Sequence, residues 1–326
     1  MFDAYQANYG HFADAAGVAR EFVAQCLRDA GITAHAVEGR AKTPGSLLRK
    51  LRAKDYANPA TEVTDLVGVR VITYYRDEVD PSIAAIRAQL DIDEANSVDK
   101  RTQLDLAEFG YRSVHLIARL DDAGPGVPEA AEGASFEIQV RSILEHAWAE
   151  IEHEIVYKSQ IQFQQTTTRT FAAVAGALEL MDGHFEGLRS AAFAEIERWT
   201  QLLADAAGWA ANLDTAGVVA TFKELAPNNP GWLGDNQALW RTAALAFEGF
   251  KTVGLSTPAA IRVAFAAADF SQRVETYAAL IGASDLDATH FALAALLIGC
   301  QPGVPIADFP DLFEDPNVRS ALDLPE

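Results

Sequence analysis

The stretch VTDLVGVRVITYY, residues 63–75, decides how this chain folds. Val67, Val69, Val71 and Thr73 alternate along it, and its β-branched content predicts a strand with one face toward a core. The segments around it set the rest. Downstream, Asp80-Pro81 opens a helix that runs to about Leu90, and two further strands are predicted at Arg112–Leu120 and Ser135–Arg141. In the second of these, Phe136, Ile138 and Val140 face one way, leaving Glu137, Gln139 and Arg141 on the other. The segment between them, DDAGPGVPEAAEGA, is dense in turn residues and reads as a solvated hairpin loop.

Upstream, residues 11–31 carry a helical stripe of Val18, Phe22, Val23, Cys26 and Leu27 that Gly31 can cap. Thr43-Pro44 opens a second helix over 43–54, with a capping threonine before a proline at the first helical position. In SILEHAWAEIEHEIVYKS, 142–159, Ser142 and Glu145 form a capping box, and Ile143, Ala147, Ile151 and Ile155 trace an apolar stripe. From about residue 165 the chain reads as helix through Asp205. Further helices follow, broken at Pro227–Gly234, Gly254–Pro258 and Pro302–Pro305. The expected class is therefore α+β, a β-sheet flanked by helices over residues 1–200, followed by an all-helical region over 206–326.

The bulk numbers agree with this division. A chain of 326 residues, 49% hydrophobic and 22% charged, can bury two cores. No run approaches the length of a membrane helix, and MFDAYQANYGHFADAAG has neither a basic leader nor an apolar core, so a cytoplasmic setting without membrane contact is expected. Cys26 and Cys300 make no CxxC pair. The net charge of −20 argues against a broad grip on DNA or other nucleic acid. Within so acidic a chain, six cations between Arg40 and Lys54 face no acid until Asp55. Residues 161–326 carry 9 basic and 20 acidic residues, a balance that favours a protein partner or a solvated surface over nucleic acid.

Candidate chemistry follows from these outliers. Arg40, Lys42, Ser46, Arg49 and Lys50 crowd the start of a helix; they form either a polyphosphate site or a solvated basic face. Asp65 is either an edge charge, half of an Asp–Arg pair with Arg70, or a ligand for Mg²⁺, which favours hard oxygens. Glu137 supplies a second strand carboxylate, and two such acids on one cleft suit metal-assisted phosphoryl transfer. His146, Glu150 and His153 share a helical face at i, i+4 and i+7, a spacing that serves either a salt-bridged surface or a zinc site, although no fourth ligand accompanies them. Trp148 reads as core. FGYRSVHL, 109–116, sets Tyr111, Arg112, Ser113 and His115 on or beside a strand whose Val114 and Leu116 point inward.

In order along the chain, GRAKTPGSLLRK, VTDLVGVRVITYYRDEV, FGYRSVHL and FEIQVRSILEHAWAEIEHEIVYK resemble the RelA/SpoT synthetase domain. The form they resemble is the single-domain small alarmone synthetases and their toxin relatives, over about residues 35–160. The resemblance implies a mixed sheet akin to nucleotidyltransferases and transfer of the β,γ-pyrophosphate of ATP to the ribose 3′-hydroxyl of GDP or GTP. It implies that Arg40, Lys42, Ser46, Lys50 and Arg70 hold ATP, and that Asp65 and Glu137 are the catalytic acids and Mg²⁺ ligands. Tyr111, stacked on the acceptor base, His115, Gln139, Arg141, Lys100 and Arg112 would receive the acceptor.

Two departures stand out. Only about 35 residues precede the match, so no product hydrolysis is expected. Glu108 stands three residues before Tyr111, where many synthetases carry a lysine a few residues ahead; Lys100 and Arg101 are the nearest upstream cations. That directs attention to other acceptors, an adenine nucleotide or the 3′ end of tRNA, as in a toxin. A non-catalytic nucleotide sensor is the alternative of a different class. In each case the C-terminal helices are expected to serve oligomerisation or a regulatory partner.

Overall fold

In the computed structural model, residues 1–99, 101, 113–157, 165–225, 243, 247, 250–251 and 254–267 are described. The chain divides into two compact units, Met1–Leu188 and Arg189–Glu326.

The first unit is built on five strands: β1 (Ala36–Ala41), β2 (Val67–Thr73), β3 (Val98–Asp99), β4 (Val114–Arg119) and β5 (Ser135–Ser142). Their spatial order is β1-β2-β5-β4-β3, with β2 and β5 parallel and every other pair antiparallel. This is the mixed sheet that was expected. Val67, Val69 and Val71, then Phe136, Ile138 and Val140, then Val114, Leu116 and Ala118 lie on one face and are buried. Helices α1 (Phe2–Ala7) and α2 (Tyr9–Asp29) open the chain, and α2 packs on β1 and β2. The next helices are α3 (Pro44–Ala53), α4 (Pro59–Glu62) and α5 (Val79–Arg87), the last packed on β5 and α2.

The local signals act where expected. Thr43 caps α3 by accepting from the Ser46 amide. Gly31, at φ +68°, closes α2: its amide bonds to Arg28 O while that of Ile32 reaches back to Leu27 O. Gly39 serves a different need, because a Cβ there would lie 2.3 Å from the Ala16 carbonyl oxygen, so only glycine lets α2 lie this close to β1.

Two expectations need revision. The segment after β4 is not a free hairpin tip: Leu120–Ala123 and Glu129–Ala131 form 3₁₀ turns, and Ala123 and Ala131 are buried in the core beside α2. Helix α6 (Ile143–Glu152) does carry the Ser142/Glu145 capping box, but its apolar stripe is not its buried side. Ile151 and Ile155 are exposed, while Glu145 and Trp148 are buried, with Trp148 edge-on to Phe171 of α7 (Gln165–Leu202). The capping box and the tryptophan, not the isoleucines, orient this helix. Its last turn continues as a π-helical segment, His153–Tyr157.

The second unit is helical, as expected. It holds the end of α7, α8 (Ala206–Trp209), α9 (Thr215–Leu225) and α10 (Pro258–Ala267). Its core gathers Ile196, Trp199, Leu213, Val218, Val219, Phe222 and Ile261. Phe250 is fully buried against Phe222. Among the described residues, no helix is long and apolar enough to cross a membrane.

Candidate active site

The polar face of the sheet is the candidate site, because strand register lines up its chemistry in rows. One row runs Arg40, Gly68, Glu137, Ile117 across β1, β2, β5 and β4. The next runs Glu38, Arg70, Gln139, His115, Val98, and the third pairs Ile72 with Arg141. Successive rows lie two residues apart along the strands, roughly 7 Å. Gly68 leaves the floor between Arg40 and Glu137 open.

At the edge nearest α3 stands Asp65. Its Oδ2 takes both the Lys42 ammonium at 2.9 Å and the Lys50 ammonium at 2.8 Å. Burial works to lower the Lys50 ammonium, and the hydrogen bond to Asp65 and its charge overcome that and hold it above its ordinary value. Asp65 Oδ1, in contrast, is buried without a partner. Lys42 and Asp65 are brought together by the backbone, since the Lys42 amide bonds to Leu66 O at 2.8 Å. The buried Tyr5 hydroxyl donates to Lys42 O at 2.6 Å and lies 3.2 Å from Leu66 O. Tyr5 was missed by sequence reading, because nothing local ties residue 5 to residues 42 and 66. At the start of α3, Ser46 Oγ accepts from Thr43 Oγ1 and from Arg49 Nη2.

Glu137 is clamped. Its Oε1 lies 2.6 Å from His115 Nδ1 and its Oε2 accepts from Gln139 Nε2 at 2.7 Å. A carboxylate only accepts, so Nδ1 carries the proton, and in the neutral ring Nε2 accepts from Ser113 Oγ at 2.7 Å. Lys50 feels the charge of both Asp65 and Glu137, which places the two acids on one electrostatic field.

The far end is basic. Arg141 is 4% exposed, and burial first, then the neighbouring Arg70 charge, pushes its guanidinium down to about 10. Arg40 is lowered by desolvation and by Arg70 as well. Glu150, projecting from α6, meets Arg70 Nη1 at 2.9 Å and stands 3.9 Å from Arg141 Nη2. His146, one turn before Glu150, keeps its Nδ1 buried without a partner.

Helix α6 is anchored from below by buried carboxyls. Glu145 Oε2 accepts from the Ser142 amide, and Ser142 Oγ donates to Asp182 Oδ2 of α7 at 2.9 Å. Burial pushes the Glu145 carboxyl up to about 7 from an ordinary 4.5. The folded state therefore holds this proton more tightly than the unfolded chain does, and stability falls as pH rises from about 4.5 through about 7. Relative to Glu145→Gln, the wild type is expected to lose roughly 3 kcal/mol across that window. Urea unfolding of both proteins between pH 4.5 and 8.5 checks this; parallel curves would refute it.

Of the residues singled out from sequence, Arg40, Lys42, Lys50, Asp65, Arg70, His115, Glu137, Gln139 and Arg141 lie on this face or its α3 edge, with Ser46 at the start of α3. Lys100, Tyr111 and Arg112 lie outside the described residues. The residues sequence reading did not assign to the site are Glu150, His146, Ser113, Gly68 and Tyr5. Asp65 suits a hard cation such as Mg²⁺, having an ionised oxygen left open, whereas both Glu137 oxygens already accept hydrogen bonds.

Residues 39–162 match the family described as "Region found in RelA / SpoT proteins". The chain is 30% identical over 124 residues to GTP pyrophosphokinase YjbM of Bacillus subtilis strain 168, covering 37% of this chain and 56% of that protein. It is 25% identical over 157 residues to GTP pyrophosphokinase YwaC of the same organism, covering 47% of this chain and 72% of that one. Among solved structures, the small alarmone synthetase 1 of Bacillus subtilis superposes at a TM-score of 0.48 and 21% identity, over 58% of this chain and 97% of that chain. The match thus spans little more than half the length of the first of these curated relatives. Residues 39–162 correspond to the region found in RelA/SpoT proteins, and this part of the chain is related in sequence to two GTP pyrophosphokinases.

Proposed function

We propose that this face transfers the β,γ-pyrophosphoryl group of ATP to the ribose 3′-hydroxyl of GDP or GTP, making ppGpp or pppGpp in the cytoplasm. The observation that carries the reading is the pairing of two carboxylates with a cationic cradle. Asp65 gathers Lys42 and Lys50, and Glu137 is held rigid by His115 and Gln139 on the same face.

In this reading Arg40, Lys42, Ser46, Lys50 and Arg70 bind the donor phosphates. Tyr111, His115, Gln139, Arg141, Lys100 and Arg112 take the acceptor nucleotide. Glu137 receives the 3′-hydroxyl proton as the ribose oxygen forms its bond to the β-phosphorus. The bond from that phosphorus to the bridging oxygen of the α-phosphate breaks, its electron pair stays on that oxygen, and AMP leaves. Asp65, with its open oxygen, would hold Mg²⁺, and the ion would supply charge neutralisation for the donor phosphates. The lysines that now share Asp65 supply the same electrostatic support from the protein, already oriented before substrate arrives.

A second reading rests on Glu108, which stands where many synthetases carry a lysine: the acceptor would be an adenine nucleotide or the 3′-terminal adenosine of tRNA. One experiment separates the two. ATP labelled at the γ-phosphate is offered with GDP, GTP, AMP, ATP and total tRNA in parallel. Label on a guanosine nucleotide is expected; label on AMP, ATP or tRNA alone would replace the first reading with the second. No transfer to any acceptor would overturn both. The C-terminal helices are assigned a regulatory or oligomerising role in either case.

A further inference from the structure

Five of the six buried polar side-chain atoms that lack a hydrogen-bond partner among the described residues belong to Asp65, Arg70, Arg141 and His146. Such atoms cost stability unless something pays them back, so their concentration on one sheet face marks a surface prepared for a ligand. Asp65 is accounted for above. The others gather toward the α6 end: Arg141 lies four residues along β5 from Glu137, on the order of 13 Å at strand spacing, and Arg70 one row from it.

Arg141 has both Nε and Nη2 without partners. These two N–H groups lie on one edge of the guanidinium, the two-pronged fork that takes a phosphate or carboxylate bidentately. Arg70 contributes a further unpartnered Nε, and its charge lies near enough to lower both Arg141 and Arg40. His146 is lowered by burial and by Arg141, so its ring stays neutral and does not add to the repulsion. Against this charge the nearest counter-ion is Glu150. One of its oxygens touches Arg70 at 2.9 Å and stops 3.9 Å from Arg141, beyond hydrogen-bond reach. Its side chain is 51% exposed, whereas those of Arg70 and Arg141 are 16% and 5% exposed. A half-exposed carboxylate thus rests on one buried and one partly buried cation and leaves the fork of the buried one open.

We propose that Arg70 and Arg141 form a subsite for the phosphate oxygens of a bound nucleotide, and that Glu150 is its internal competitor, occupying the subsite in the ligand-free protein and swinging out to solvent when the nucleotide arrives. The proposal rests on reading this face as a nucleotide site and adds to it a residue that sets affinity. It also supplies a grip on phosphate that does not depend on a lysine ahead of Tyr111.

The test is calorimetric titration of the full chain with inorganic tripolyphosphate, which reads binding without turnover. Glu150→Gln removes the competing charge and keeps the shape, and should tighten binding about tenfold. Glu150→Asp, whose shorter carboxylate reaches Arg70 less well, should fall between the two. Adding Arg141→Lys to Glu150→Gln replaces the fork by a point charge and should abolish the gain. If melting shows that this double variant is unfolded, Arg70→Gln takes the place of Arg141→Lys. Binding by Glu150→Gln that is unchanged or weaker, or a gain that survives loss of the fork, overturns the proposal. Repeating the titration with GDP and with a non-hydrolysable ATP analogue shows which nucleotide's phosphates gain, and a gain on either supports the subsite. A failure of pyrophosphoryl transfer would leave these affinities measurable, so the two readings fall separately.

Discussion

Glu137→Gln is expected to lower turnover by about 10³-fold while leaving the fold in place. The side chain is isosteric, and its neighbours can adapt. In the wild type His115 and Gln139 each place a nitrogen against one carboxylate oxygen. A glutamine at 137 offers one acceptor and one donor. The acceptor can remain with Gln139, and the new NH₂ can face His115, whose ring shifts its proton to Nε2 and donates to Ser113 Oγ instead. Every polar group keeps a partner, so the melting temperature should move little. What is lost is the charge proposed to accept the 3′-hydroxyl proton. Steady-state rates at saturating ATP, measured beside the melting curve, decide the matter. Turnover within tenfold of wild type, with the protein folded, would remove Glu137 from the role of base.

Much of this face was legible in the sequence, for a physical reason. Strands β2, β4 and β5 bury one face in the core and keep the other polar, so they alternate apolar and polar residues, and alternation is visible without a structure. Once Phe136, Ile138 and Val140 are given to the core, Glu137, Gln139 and Arg141 have to face the other way. Edge strands carry no such obligation. AVEGRA, 36–41, has a single β-branched residue, and its pairing with β2 supplies what propensity does not, so β1 read only as a lead-in to the helix at Thr43. The short β3 escaped for the same reason.

Helix α6 misled in a different way. Its isoleucine stripe satisfies every rule for a buried face, yet the helix is placed by a buried capping box and by Ser142 bonding to Asp182, forty residues away. Periodicity cannot weigh a polar anchor against an apolar stripe. The same limit hid Glu150. Its spacing from His146 and His153 fits a surface salt bridge or a metal motif equally well. Only the sheet, by setting Arg70 and Arg141 on adjacent strands beneath α6, gives that carboxylate its partners.

Asp65→Asn should be as damaging as the change at Glu137, by another route. In the wild type one carboxylate oxygen binds two ammonium groups, and the other is buried and open. An asparagine can keep an oxygen toward the lysines, but the charge that holds Lys42 and Lys50 side by side is gone. If the amide turns over, its NH₂ confronts two cations. If it does not, the open position becomes a donor that no metal ion or phosphate-bound cation can use. Either orientation removes a hard anionic oxygen from the donor side, and a loss of about 10³-fold in kcat/KM is expected, equivalent to roughly 4 kcal/mol. Folding should suffer less, by about 1–2 kcal/mol, because the lysines are partly exposed and water can reach them. The Lys50 ammonium, now held above its ordinary value, drops when its partner is neutral, so the wild type's advantage should fade as pH climbs past the ordinary lysine range and the two stability curves should converge on the alkaline side. Three measurements therefore move together: kcat/KM, the urea midpoint at pH 7, and the alkaline limb of stability. A variant that keeps wild-type kcat/KM while showing the stability loss would make Asp65 a structural anchor for the two lysines and nothing more.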